Sequence, residues 1–180
     1  MIRTQDRKGF TLVELMIVLV IIGIIAAFAI PSLLESQKSG NESSAEKSLR
    51  TIVDAEATFM KTDYDQAANP GKNFAYNLAN LRDTLDAAGG PINLIDVLLA
   101  AGAKENHVFG VIPTYNLAGG TDFRYGFAYY AVPAVYPDTG RKTYVVNAEG
   151  VMYYKDQGAA TVPVAWPDPA NDATWTPVGA

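Results

Sequence analysis

The chain has 180 residues, enough for one domain with a modest core, and 49% of them are hydrophobic. Its formal charge of −5 argues against nucleic acid as the main partner, because phosphate binding needs clustered Lys and Arg. It has no cysteine, which excludes thiol catalysis, thiolate metal sites and a disulfide framework.

Taken in chain order, the first element is a short basic leader over residues 1–9, where Arg3, Arg7 and Lys8 outweigh Asp6. An apolar stretch follows. No side chain from Leu15 to Ile30 is charged or strongly polar, and Glu14 is the only ionisable side chain between Phe10 and Leu34. A run of about 20 residues, at 1.5 Å rise each, spans the roughly 30 Å hydrocarbon core of a bilayer. Basic residues stay cytoplasmic, so the segment is oriented with its C-terminal side outward. A conventional secretory signal would be cut after the apolar run; Ala26-Ala27-Phe28-Ala29 is the available small-residue site, but the helical pattern continues past it. A plain anchor has no need of Glu14. A carboxylate one turn into a membrane helix costs a few kcal/mol even on lenient insertion scales, and it normally marks a partner charge. A cut after Gly9 would put the new α-amine of Phe10 at the same depth, within reach of Glu14 in a neighbouring copy.

The residues at that point are Lys8-Gly9-Phe10-Thr11-Leu12-Val13-Glu14-Leu15. This stretch closely resembles the prepilin signature of the type IV pilin superfamily: a basic leader, Gly-Phe-Thr-Leu-x-Glu-Leu, then an apolar helix. The resemblance implies cleavage between Gly9 and Phe10 by a prepilin peptidase, N-methylation of Phe10, and pairing of Glu14 with the Phe10 amine of the adjacent subunit. Gly23 and Pro31 each weaken a helix interior, although membrane helices often tolerate both. In pilins a Gly and a Pro at these relative places bracket a stretch that loses helicity in the filament. The resemblance therefore implies that Gly23 to Pro31 does so here.

Past Pro31 the composition turns polar through Glu35 to Ser44. Ala45, Leu49, Ile52, Val53, Phe59 and Met60 then fall at three- and four-residue steps, with Lys47, Arg50, Asp54 and Lys61 opposite. One helix is expected from about Phe10 to about Lys61, some 75 Å long and bent or weakened near Pro31 and Gly40. Asn41-Glu42-Ser43 matches a glycosylation sequon, a short motif that arises often by chance in polar stretches. After turn-rich residues 63–72, Leu78, Leu81 and Leu85 suggest one short helix, and Leu94, Ile95, Leu98 and Leu99 another that starts at Pro91 and stops at Gly102. Strands are expected at Val108–Ile112, at Phe123–Tyr129 with closure by Pro133, and at Thr143–Asn147 and Val151–Tyr154 around the turn Asn147-Ala148-Glu149-Gly150. The Pro- and Ala-rich tail from Gln157, with Trp166 and Trp175, reads as irregular.

Leu49-Arg50-Thr51-Ile52, with Ala55-Glu56, and Thr139–Val151 also resemble pilin-like proteins, more loosely. Many major pilins close their C-terminal region with a disulfide, which this chain cannot form. His107 is the only histidine and reads as a surface or edge-strand side chain. Gly119-Gly120-Thr121 is too short for a phosphate loop. No cofactor is expected; Asp156, Asp168 and Asp172 are candidate Ca²⁺ ligands, since related pseudopilins bind calcium near this part of the fold.

The fold class that follows is α+β, a long N-terminal helix packed on a C-terminal antiparallel sheet of about four strands. Residues 1–9 form the leader, 10–34 the transmembrane and assembly helix, and 35–180 a globular domain that includes the amphipathic helix half. The function expected is a structural, non-enzymatic subunit of a type IV pilus-like filament. Its expected partners are the prepilin peptidase, like subunits, the inner membrane and an assembly platform. It would begin as an inner-membrane precursor and end in a periplasmic or cell-surface filament. A pseudopilin of a type II secretion system, and a membrane-anchored periplasmic enzyme or binding domain, are the alternative readings.

Overall fold

A computed structural model of the chain describes residues 9–64, 73–113, 126–167 and 172–179. Two compact units are distinguished, Met1–Gln37 and Lys38–Ala180. Helix α1 (Leu12–Thr62) contributes to both. It continues through Pro31 and Gly40, so neither residue interrupts the backbone helix in the single chain. Proline removes one backbone hydrogen bond, and α1 runs on past it on both sides.

In the second unit α1 buries one face. Ala45, Leu49, Ile52 and Phe59 are buried as their spacing predicts, and Val53 and Met60 are half-buried. Lys47, Arg50, Asp54 and Lys61 are exposed on the opposite face. The buried stripe also takes in Glu42, Ser48, Ala55 and Glu56, of which the two carboxylates break the apolar pattern.

Helices α2 (Asn80–Asp83) and α3 (Val97–Ala100) are shorter than the sequence suggests. Leu78 and Leu81 are buried, but Leu85 is 59% exposed, past the end of α2 and bridged to Pro91. Pro91 therefore does not start α3. Asp96 does, accepting hydrogen bonds from the Leu98 and Leu99 amides at 3.0 and 3.1 Å. Ile95 and Leu99 are buried while Leu98 points to solvent. Gly102, at φ +75°, ends the segment as expected; a side chain there would meet the Phe109 carbonyl at 2.9 Å.

The sheet is an antiparallel meander in the order β1-β2-β3-β4-β5-β6. The strands are β1 (Ala103–Lys104), β2 (His107–Val111), β3 (Ala128–Pro133), β4 (Lys142–Asn147), β5 (Met152–Asp156) and β6 (Thr176–Pro177). Four strands lie where the sequence places them within a few residues, and two short ones extend the edges. The third strand is displaced: it runs Ala128–Pro133, and Phe123 and Tyr125 lie outside the described residues. The β4–β5 turn is organised by Asn147, whose Oδ1 accepts from the Glu149 and Val151 amides, with Gly150 at φ +75°.

Both faces of this sheet are covered. Phe127, Tyr129, Ala131, Tyr144 and Val146 join the α1 stripe in one buried cluster. On the other face Ala128 and Val145 join Ile112, with Tyr130, Tyr153, Trp166 and Trp175 packed against them. The tail is thus not merely irregular. Trp166 stacks edge-on to Tyr153 at 5.8 Å, β6 pairs with β5, and the Val178 amide donates to the Met152 carbonyl. Lys155 pairs with Asp172 at 3.4 Å and lies over the Trp175 ring.

Glu56 is the most consequential buried polar group in the α1 stripe. It is wholly buried, accepts the Tyr129 hydroxyl on Oε1 at 2.5 Å and accepts the Ala75 amide on Oε2 at 2.8 Å. Burial pushes its carboxyl up to about 7, against the opposing pull of those two bonds. The folded chain therefore keeps a proton between 4.5 and about 7 that the unfolded chain has released. Stability from this group is full below the unfolded value and declines as pH rises through the folded one. Over pH 5 to 8 the wild type should lose on the order of 3 kcal/mol relative to Glu56→Gln, read by denaturant unfolding in micelles at each pH. Equal slopes for the two proteins would refute the assignment. Phe59→Ala, which empties a fully packed position, should cost about 3–5 kcal/mol in the same assay at every pH.

Candidate processing and assembly site

Gly9, Phe10 and Thr11 precede α1 in non-helical conformation. Phe10 is 83% exposed, and open space surrounds Gly9. The chain is thus accessible at the Gly9–Phe10 bond.

Thr11 caps α1. Its Oγ1 accepts from the Glu14 amide at 3.2 Å, while Glu14 Oε2 accepts from the Thr11 amide and hydroxyl, each at 3.5 Å. This is a capping box, with the carboxylate at the positive end of the helix dipole. Thr11 was legible in advance, because Thr-x-x-Glu before an apolar run is the sequence signature of such a box. Sequence reasoning directed at a partner in a neighbouring copy missed it. In the single chain Glu14 has local partners after all, although the bonds on its own oxygens are long and exposed.

Every large apolar side chain from Phe10 to Leu34 is exposed. The helix is long and apolar enough, by length and composition, to cross a membrane. An apolar surface this continuous marks contact with lipid or protein. Gly23 lies within it with nothing within 4 Å of a would-be Cβ, so no close packing in this chain calls for glycine there. Pro31 sits inside the helix eight positions on.

Two of the three candidate calcium ligands lie among the described residues. Asp156 accepts from the Gly158 amide at 2.9 Å and from the Tyr136 hydroxyl. Asp172 accepts from Thr174 and pairs with Lys155. Asp168 lies outside the described residues, as do Arg3, Arg7, Lys8 and the Gly119-Gly120-Thr121 turn. Among the described residues no group of three or more His, Asp or Glu side chains could hold a metal ion. His107 departs from expectation: it is 1% exposed, on a strand flanked on both sides. Burial lowers its pKa, against the raising influence of the Glu105 carbonyl and the Glu42 and Glu105 charges. Asn41, the sequon residue, donates its amide to the Thr139 carbonyl at 2.9 Å.

Comparison with known proteins bears on both units. Residues 4–30 match the family described as the prokaryotic N-terminal methylation motif. Residues 103–178 match a family described as a protein of unknown function (DUF2950), a stretch that takes in every strand among the described residues. The chain is 44% identical over 64 residues to the type IV major pilin protein PilA of Myxococcus xanthus, covering 34% of this chain. It is 53% identical over 38 residues to the type IV wide pilus major component PilA4 of Thermus thermophilus, covering 21% of this chain. The matched segment spans 29% of the length of each of these relatives. No solved structure matches. By its methylation motif, its capped apolar helix and its identity over 64 and 38 residues to two major pilins, the N-terminal segment of the chain is similar to that of type IV pilins.

Proposed function

We propose that the chain is a structural subunit of a type IV pilus-like filament. In this reading it is made as an inner-membrane precursor, cut between Gly9 and Phe10 by a prepilin peptidase, and N-methylated on Phe10. It then polymerises with like subunits through the apolar half of α1, on an assembly platform, into a filament outside the inner membrane. The observation that carries the reading is the continuous exposed apolar helix surface with one carboxylate, Glu14, at its capped start. Removing residues 1–9 would create a cation next to that carboxylate. Glu14 would exchange its long bonds to Thr11 for an ion pair with the Phe10 amine of a neighbour, a stronger charge-assisted contact away from water. The Gly23–Pro31 stretch, held by no packing in the single chain, is where α1 would yield on assembly.

The two relatives described as major pilus components favour a pilus over a secretion pseudopilin. No enzymatic step is assigned; the role is that of a building block.

Mass spectrometry of filaments should find N-methyl-Phe10 as the first residue, and a mature chain beginning at Met1 or after Ala29 would refute the processing step. Gly9→Val should leave membrane-bound precursor and no filaments, read by immunoblot and electron microscopy. Glu14→Ala should be cleaved normally yet yield at least about tenfold fewer filaments, since it removes the neighbour contact and spares the cut bond. Wild-type filament number in that strain would exclude the pairing.

A further inference from the structure

Burial along α1 begins abruptly. None of the described residues from Leu12 to Asn41 is buried, and Glu42, at 9% exposure, is the first that is. At that point two consecutive side chains are held by one segment about a hundred positions away in sequence. Asn41 Nδ2 donates to the Thr139 carbonyl at 2.9 Å. Glu42 Oε1 accepts from the Arg141 and Lys142 amides at 2.9 and 3.3 Å, and Oε2 pairs with Lys142 Nζ at 3.2 Å. Bonds from backbone amides to a carboxylate are charge-assisted, and withdrawal from water strengthens them further.

The receiving segment is itself braced. Thr139 bonds back to Val135 through its amide, at 2.9 Å, and through its hydroxyl in both directions. Gly140 is buried between α1 and β2. A Cβ there would lie 3.3 Å from His107 Cε1 and Nε2 and 3.5 Å from Glu42 Cγ. A side chain at 140 would crowd the imidazole and push it back by a few tenths of an ångström, so glycine is what best lets the segment sit this close while its neighbours reach Glu42. His107 is therefore the floor on which the segment rests, which accounts for its burial without a ligand role. Gly40, a weak point for a helix, immediately precedes the clasp with nothing packed on it.

We propose that Asn41 and Glu42, clasped by residues 139–142 over His107, form a latch that fixes where the globular unit takes hold of α1. Loss of helix N-terminal to the latch then stops there and does not run into the core stripe that starts at Ala45. This consequence rests on the filament reading, in which the Gly23–Pro31 stretch yields; the latch itself is a property of the single chain.

The test is amide hydrogen exchange of the full-length chain in detergent micelles, comparing peptides within 42–48 and 52–60. In the wild type both should be protected. In Asn41→Ala/Glu42→Ala, 42–48 should exchange at least about tenfold faster while 52–60 stays within about twofold. Gly140→Val keeps both latch side chains and wedges the segment away from His107, so it should give the same pattern. No change at 42–48 in either variant, or equal acceleration of both peptides, would overturn the latch. Because the measurement uses unassembled chain, it is separable from the filament reading. Filaments whose α1 remains helical across Gly23–Pro31 by electron cryomicroscopy would refute the yielding stretch and leave the exchange result standing.

Discussion

The globular unit depends on one contact surface, the stripe of α1 that begins at Ala45. Leu49, Ile52 and Phe59 are removed from water by the inward residues of β3, β4 and β5, and each such burial is worth about 1.5–3 kcal/mol. No other described helix could replace it, since α2 and α3 are single turns. Within this stripe the chain places Glu56, whose burial is favourable only because Tyr129 and the Ala75 amide satisfy both oxygens. That arrangement ties helix, sheet and connecting segment at one atom group, and it makes the core's stability depend on a proton.

The N-terminal half of the same helix obeys the opposite rule. Its apolar residues have no protein to bury against in the single chain, so the surface that would be a fault in a soluble domain is the part that must find company. Lipid can satisfy the aliphatic side chains but not a carboxylate. In the proposed filament, Glu14 is consequently the group whose needs would differ from those in a membrane. The capping box with Thr11 shows how the single chain meets those needs locally, through bonds long enough to be exchanged for better ones.

On the far side of the sheet the tail is held by non-covalent contacts alone. Trp166 against Tyr153, the β5–β6 pairing and the Lys155–Asp172 contact hold the C-terminal segment without a covalent link. Such closure relies on packing and is reversible, whereas a disulfide would constrain the unfolded chain as well. The family match over residues 103–178 embraces this whole sheet, including the two edge strands that extend the expected four.

Sequence alone was sufficient for the features that are local or periodic. The apolar run around Glu14, the amphipathic steps after Ala45 and four of the strands follow from patterns within a few turns or strand lengths. Features made by residues far apart in the chain were not legible. His107 looked like a surface side chain because nothing nearby in sequence indicates Gly140 lying against it. Glu42 read as part of the polar run Glu35 to Ser44 until residues 141 and 142 supplied amides, and nothing near Glu56 in sequence announced the Tyr129 hydroxyl and Ala75 amide that close over it. Periodicity reports which face of a helix is apolar, but a buried carboxylate depends on donors brought by another element, and only the tertiary structure decides where those lie.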